Sequence, residues 1–267
     1  LHKLARLYDE IVGDAAKAAE VFQELRELDP SDDEAYAGLK RSHEELENWA
    51  ELAVVLEDEL QVADEEQALE NLLQLAALQR GRLDDVDAAA ETLSRLLELA
   101  PEDAGAWAAI SSFFEADEAL SVVLPMLENR YRTAESWEEL VEVLAKSGQI
   151  EESDEARFEI LGQCAEILEE QLNRPDEAFS YLSVMVSMDP SKDGLIPRLE
   201  GVGRVAEKSA ERYAIYKGLL GIGESDFVPL NSLDEAREQE VALLLASLAE
   251  EHDESDIAVE ALKRARL

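Results

Sequence analysis

Few side chains in this 267-residue sequence could do chemistry, and their spacing decides what kind. The three histidines, His2, His43 and His252, stand far apart, and none has a companion at HxxxH, HExxH or CxxC spacing. A zinc site needs three or four ligands, so no metal site and no cofactor is expected. His43 falls late on a polar helix face and is expected to be exposed; His252 falls in a turn. The single cysteine, Cys164, leaves no internal disulfide to form. No GxSxG elbow and no Cys–His arrangement occurs. The stretch GVGRVAEKS, Gly201 to Ser209, has the outline of a phosphate loop. A working loop, however, needs a glycine directly before the lysine and a strand before the whole segment. Lys208 follows Glu207, and no strand is expected there. EHDESD, Glu251 to Asp256, lacks the glycine and the terminal glutamate of a calcium loop. The chain is therefore not expected to be an enzyme.

Carboxylates are the remaining reactive groups, and they are too numerous for any one pair to be informative. Acidic residues number 63 against 24 basic ones, a net charge of −39. A nucleic-acid binder needs a basic footprint, and an anionic membrane surface attracts basic segments. The charge argues against both partners. No run of about 18 apolar residues is present, so no direct membrane insertion is expected. Acids gather at Ser31 to Glu34, Glu44 to Glu47, Glu57 to Glu59 and Glu151 to Glu155. They read as solvated faces and helix N-termini, where negative charge suits the dipole. The competing reading is a field that steers a basic partner, and the composition is also compatible with adaptation to high salt.

The elements that carry these residues repeat. Leu4 to Pro30, Leu75 to Pro101 and Cys164 to Pro190 are versions of one sequence, and a fourth copy starts at Leu245. Each reads as two helical segments around a short polar turn. In the first copy Leu4, Leu7, Tyr8 and Ile11 share one helical face. Gly13–Asp14 breaks the pattern, Ala18, Phe22, Leu25 and Leu28 form a second stripe, and Pro30 ends it. The intervening segments repeat too: Glu47 to Leu60 matches Glu135 to Lys146 and Lys208 to Leu220, with Trp49 and Trp137 in equivalent places as packing wedges. Trp107 is equivalent to Tyr36. Cys164 takes the apolar position of Leu4 and Leu75, so it reads as a buried structural thiol. No window alternates with period two, so no sheet is expected.

This spacing resembles the tetratricopeptide repeat, a helical hairpin carrying Leu, a small residue, Tyr, Ala, Phe and Pro. Leu4, Ala5, Tyr8, Ala18, Phe22 and Pro30 fill those roles. In the second copy Leu75, Ala76, Ala89, Leu93 and Pro101 match and Gln79 replaces the Tyr; in the third Cys164, Ala165, Leu168, Ala178, Leu182 and Pro190 match. The turn between helices is one residue longer than in the usual unit of about 34 residues. The WxELxxVL helix is similar to that of large bacterial tetratricopeptide proteins. The resemblance implies an all-α fold, a right-handed superhelical solenoid of hairpins with roughly fifteen helices.

The resulting organisation is TPR-like repeats over 1–102, an irregular helical joint over 103–135, TPR-like repeats over 136–220, a linker over 221–232 and a further, truncated repeat over 233–267. The joint is expected because two helices, 103–115 and 117–131, stand where the first unit has one, 33–46. Phe113, Phe114, Val122, Val123 and Leu124 are its expected apolar filling. Leu1 falls inside a first helix and Leu267 inside a second, so the chain reads as part of a longer array. The apolar faces at Leu4 and Leu262 would then meet further repeats of the same chain or a partner.

The resemblance also implies that the first helices line a groove. Residues between their core positions then include Arg6, Asp9, Arg41, Glu44, Arg80, Glu166 and Glu169. The three arginines, scarce among so many acids, suit a peptide carboxylate; the alternative is pairing with neighbouring acids. The implied function is a non-enzymatic scaffold or adaptor for protein partners, basic or peptide-like. The alternative is a regulatory or docking arm of a larger enzyme or signalling protein with its catalytic domain elsewhere. The compartment stays open, with the cytoplasm favoured over the periplasm.

Overall fold

The computed structural model describes residues 1–265, and its regular structure is all α: an array of helical hairpins. Among the described residues there are fifteen α-helices, one π-helical turn and no strand. The chain divides into two compact units, Leu1–Leu127 and Glu128–Leu267. In the first, α1 (His2–Arg6) continues as a π-helical turn (Leu7–Val12) and is followed by α2 (Ala15–Leu28), α3 (Asp33–Glu45), α4 (Trp49–Glu59), α5 (Glu65–Gly81), α6 (Val86–Leu99) and α7 (Ala104–Ala116). The division falls within α8 (Leu120–Thr133). The second unit holds α9 (Trp137–Ile150), α10 (Asp154–Glu170), α11 (Pro175–Met188), α12 (Leu195–Val205), α13 (Ser209–Leu220), α14 (Glu235–Glu251) and α15 (Ser255–Arg264).

Local chemistry explains where these helices start and stop. Asp14, Asp32, Asp64, Asp85, Asp103 and Asp234 each accept a backbone N–H three residues on, capping α2, α3, α5, α6, α7 and α14. Each satisfies one donor that the helix itself leaves orphaned. Part of the acidic excess is therefore spent on caps. The exits repeat as well. Asp29 accepts from the Ser31 N–H and Asp189 from the Ser191 N–H, around Pro30 and Pro190. The Ser31 hydroxyl and the Ser31 N–H, both donating to it, hold the Asp29 carboxyl below its ordinary range.

Packing follows the repeat. Ala18, Ala89 and Ala178 are fully buried, with Phe22, Leu93 and Leu182 buried beside them in the respective hairpins. Gly38 on α3 leaves room for the Phe22 ring, which a Cβ there would meet at 2.4 Å. Cys164 is buried, and burial pushes its thiol up to about 12. The segment GVGRVAEKS belongs to the end of α12 and the turn into α13.

Several details differ from the sequence reading. Leu4, Leu7 and Ile11 are exposed; Ala5 and Tyr8 carry the contact with α2. Leu28 projects into solvent from the last turn of α2, while Leu25 is buried. His43 is half-buried, not exposed, and its Nδ1 finds no hydrogen-bond partner among the described residues. Loss of water holds its pKa below the ordinary value, against a pull from Glu51. α7 ends at Ala116 because Asp117 turns left-handed (φ 60°), and α8 begins only at Leu120, after a second left-handed residue, Ala119 (φ 47°). Phe113, Val123 and Leu124 are buried; Phe114 and Val122 are half-buried. Leu262 is exposed, and Leu267 lies outside the described residues.

The stretch 221–232 is irregular but docked. The Leu230 N–H donates to the Ser187 carbonyl at 2.7 Å and the Asn231 amide to the Met188 carbonyl at 2.5 Å, using the open C-terminus of α11. The Ser225 hydroxyl donates to the Ala214 carbonyl at 2.6 Å, and Ile222 is fully buried.

Candidate partner-binding notches

Each unit carries a notch between the first helix of one hairpin and the first helix of the next. In the first unit α5 and α7 flank a notch of about 580 Å³, floored by Leu73, Ala76, Ala77 and Phe113. The sequence places Leu73, Ala76 and Ala77 about one turn apart on α5, so they form a strip, and Phe113 comes from α7. Arg80 stands at its rim. Its Nη2 and Nε reach the Glu118 carboxylate at 2.8 and 2.9 Å, its Nη1 donates to the Ser112 hydroxyl at 2.6 Å, and its guanidinium lies 4.0 Å from the centre of the Phe113 ring.

The second unit repeats the notch at about 390 Å³ between α10 and α12. Glu169, Asn173, Pro175, Arg198 and Val202 stand where Arg80, Asp84, Val86, Ala109 and Phe113 stand in the first. The charge at the rim position of the first helix is reversed, Arg80 on α5 against Glu169 on α10. Glu169 on α10 accepts from Arg198 on α12 at 2.6 and 2.9 Å. In the first copy of the repeat the position of Arg80 and Glu169 is held by Asp9, which pairs with Arg41 at 2.6 Å. One position in the repeat therefore ties adjacent hairpins by charge, with the sign free to exchange. Such part-exposed pairs contribute little stability, about 0–1 kcal/mol. Their effect is to fix which side chains face the notch.

The sequence-derived residues can now be placed. Asp9 meets Arg41, Arg80 and Glu169 stand at notch rims, and Arg6 donates to Glu34 at 2.5 Å. The Arg6 hydrogen bond holds the Glu34 carboxyl below its ordinary range. Glu44 is exposed on α3, and Glu166 is exposed beside Trp137 and Arg132 in a shallow recess of about 190 Å³. All three arginines thus rest on carboxylates of their own chain. Ala109 and Phe113 of the first notch were not visible as site residues in the sequence. The signal that could have found them is their equivalence to Arg198 and Val202.

The buried carboxylates do structural work of the same kind. Glu59 accepts from Lys40 Nζ at 2.7 Å, and from the Asn71 and Gln67 amides at 2.9 Å each. Lys40 is equivalent to Glu200 in the second unit, again with reversed sign. Glu200 accepts from Arg212 and Arg204 at 2.6 Å and from the Tyr216 hydroxyl at 2.8 Å. Burial raises its pKa, but the hydrogen bonds from Tyr216, Arg212 and Arg204 outweigh that and leave it lowered. A general acid at neutral pH needs the opposite shift. Among the described residues no three His, Cys, Asp or Glu side chains converge to hold a metal ion, and no helix is long and apolar enough to cross a membrane.

Residues 70–103, α5 with α6, match the family model of the tetratricopeptide repeat. No curated protein matches the chain in sequence. Solved structures with a similar run of helices include the C-terminal part of a TPR repeat-containing protein from Cytophaga hutchinsonii, 14% identical, covering 98% of this chain and 93% of that one with a TM-score of 0.32. Human IFIT1, solved as a dimer with m7Gppp-AAAA, is 14% identical over 94% of this chain and 55% of its own, with a TM-score of 0.29. BtubC from P. vanneervenii is 16% identical over 97% and 89%, with a TM-score of 0.26.

Proposed function

We infer that this tetratricopeptide-like helical repeat protein is a non-enzymatic scaffold whose notches between first helices seat protein partners. The observation that carries the reading is the recurrence of the notch at equivalent positions of both units, each time with a closed charge pair beside an apolar wall. Arg80 has its hydrogen-bonding edge filled by Glu118 and Ser112, so an incoming carboxylate gains little there. An apolar side chain of a peptide gains more, by covering the exposed Leu73 and Ala77 in one notch or the exposed Val205 in the other. The net charge of −39 speeds encounter with basic segments rather than fixing them. The favoured partner is thus a peptide-like segment with an apolar anchor and basic flanks.

A phage-displayed peptide library selected on the full chain tests this. Enriched peptides should lose binding to Ala77→Trp or to Gly201→Trp. Ala77 is exposed and Gly201 has open space around an added Cβ, so both variants fill a notch without disturbing the core. Peptides that bind both filled variants unchanged would place the partner surface elsewhere.

A further inference from the structure

Trp49 and Trp137 open α4 and α9 and are equivalent in the repeat; Arg82 and Gln171 directly follow α5 and α10 and are equivalent too. In the first unit the two places meet. The Arg82 guanidinium lies 4.7 Å from the centre of the Trp49 ring. A cation over an aromatic face is held by the ring's quadrupole, and indole holds it best. The fourth copy sets another flat group at the position of Arg82: His252, whose ring stacks on Tyr213 of α13 at 4.8 Å.

At Trp137 the chain withholds the cation and adds the charge that would bind one. The uncharged Gln171 stands where Arg82 stands. The half-buried Trp137 ring walls a recess of about 190 Å³ with Glu166, Ile167, Glu170 and Gln171, and Arg132 of α8 stands at its rim. That space is on the scale of one long side chain, much smaller than either notch. Glu166 and Glu170 replace Ala77 and Gly81 of the first unit. Both are exposed, they lie one turn apart on α10, and neither has an ion-pair partner among the described residues. The Nη2 of Arg132 is taken by Glu128 at 3.0 Å and by Gln163 at 2.8 Å. Exposed acids are common on this surface, so the two carboxylates alone would signify nothing. What singles them out is the ring they flank, and the guanidinium that the equivalent ring already holds.

We propose that the Trp137 recess takes an arginine side chain of a partner protein. Its guanidinium sits over the indole, as that of Arg82 sits over Trp49, and its N–H edge donates to Glu166 and Glu170. Arginine suits the place better than lysine, because a guanidinium presents a flat face to the ring and a donor edge to the carboxylates together. The net charge of −39 draws basic segments towards this surface. The recess is separate from the notches and stands whether or not they take a partner.

The test uses the full chain with ¹⁵N-labelled tryptophan and the blocked pentapeptide acetyl-Gly-Ala-Arg-Ala-Gly-amide, read by the indole N–H resonances at physiological ionic strength. The Trp137 signal is the one absent from Trp137→Phe. It should move saturably with the peptide, while the Trp49 signal, whose ring already holds Arg82, stays in place. The same peptide with lysine should bind about fivefold or more weakly, and with citrulline the shift should vanish. Glu166→Gln with Glu170→Gln should weaken binding about tenfold, whereas Glu20→Gln with Glu24→Gln, the same loss of charge on α2, should leave it within about twofold. Gln171→Arg should abolish it, because the chain's own guanidinium then fills the recess. All five positions are exposed, so the variants should keep their helical circular dichroism. Agmatine, a free guanidinium compound, should bind no tighter than the peptide. The proposal is overturned by no saturable shift of Trp137, by equal binding of the lysine or citrulline peptide, by equal weakening in both glutamine pairs, or by undiminished binding in Gln171→Arg. Agmatine binding about tenfold tighter than the peptide, about 1.4 kcal/mol, would also overturn it and assign the recess to a small molecule.

Discussion

Lys40→Ala should destabilise the first unit out of proportion to the atoms removed. Glu59 is only 2% exposed, and Lys40 is the cation that faces it, at 2.7 Å. Removing one partner of a buried ion pair costs about 3–5 kcal/mol, because the other charge stays buried and uncompensated. Two factors reduce that here. The Asn71 and Gln67 amides still donate to the carboxylate, and the Lys40 side chain is 21% exposed, so water can enter where it stood. The expected cost is about 2–3 kcal/mol. At a urea dependence of about 2 kcal/mol per molar, the midpoint should fall by about 1–1.5 M. A Trp137→Phe background leaves Trp49 and Trp107 as the indole reporters, so fluorescence follows the first unit alone. In a Glu59→Gln background the same Lys40→Ala change should cost under about 1 kcal/mol, because a neutral amide at that position needs no cation. Equal costs in both backgrounds would refute the reasoning, and so would a loss below about 0.5 kcal/mol in the parent.

Three further outcomes are expected. Ala89→Leu adds volume at a fully buried contact between α5 and α6 and should cost about 1–3 kcal/mol; an unchanged urea midpoint would mean the site is not packed as described. In Gly218→Ala the new Cβ would lie 2.1 Å from the Phe227 carbonyl oxygen. Limited proteolysis within 221–232 should then accelerate while helical circular dichroism holds, and unchanged cleavage would show that the stretch is not held by this contact. The lowered pKa of Glu200 predicts stability that is full above its unfolded value of about 4.3 and is lost as pH falls through the lower folded value. Glu200→Gln should flatten this acid limb of the second unit, followed in urea by Trp137 fluorescence in a Trp49→Phe, Trp107→Phe background; an unaltered limb would show that other carboxyls carry it.

Much of the architecture was legible before any coordinates. The Leu, Ala, Phe and Pro spacing marked the hairpins, and α2, α6 and α11 end just before Pro30, Pro101 and Pro190. Helix formation is decided by residues within a turn or two, so local periodicity is enough to read it. The burial of Ala18, Ala89 and Ala178 was legible for a related reason: equivalent positions in a repeat meet equivalent neighbours. Of the capping aspartates, Asp32 alone lies in an acidic cluster that the sequence suggested for a helix N-terminus. Pairing was not legible. Arg41 takes Asp9 from the preceding hairpin, Arg80 takes Glu118, and Lys40 takes Glu59. Among 63 acids, composition cannot say which lies within reach, because reach depends on which helix faces meet and which rotamers they leave. The exposure of Leu4, Leu7 and Ile11 belongs to the same class. Their spacing makes an apolar stripe in any context, but whether a stripe is core or surface is decided by a second helix lying on it, and that is a property of tertiary structure alone.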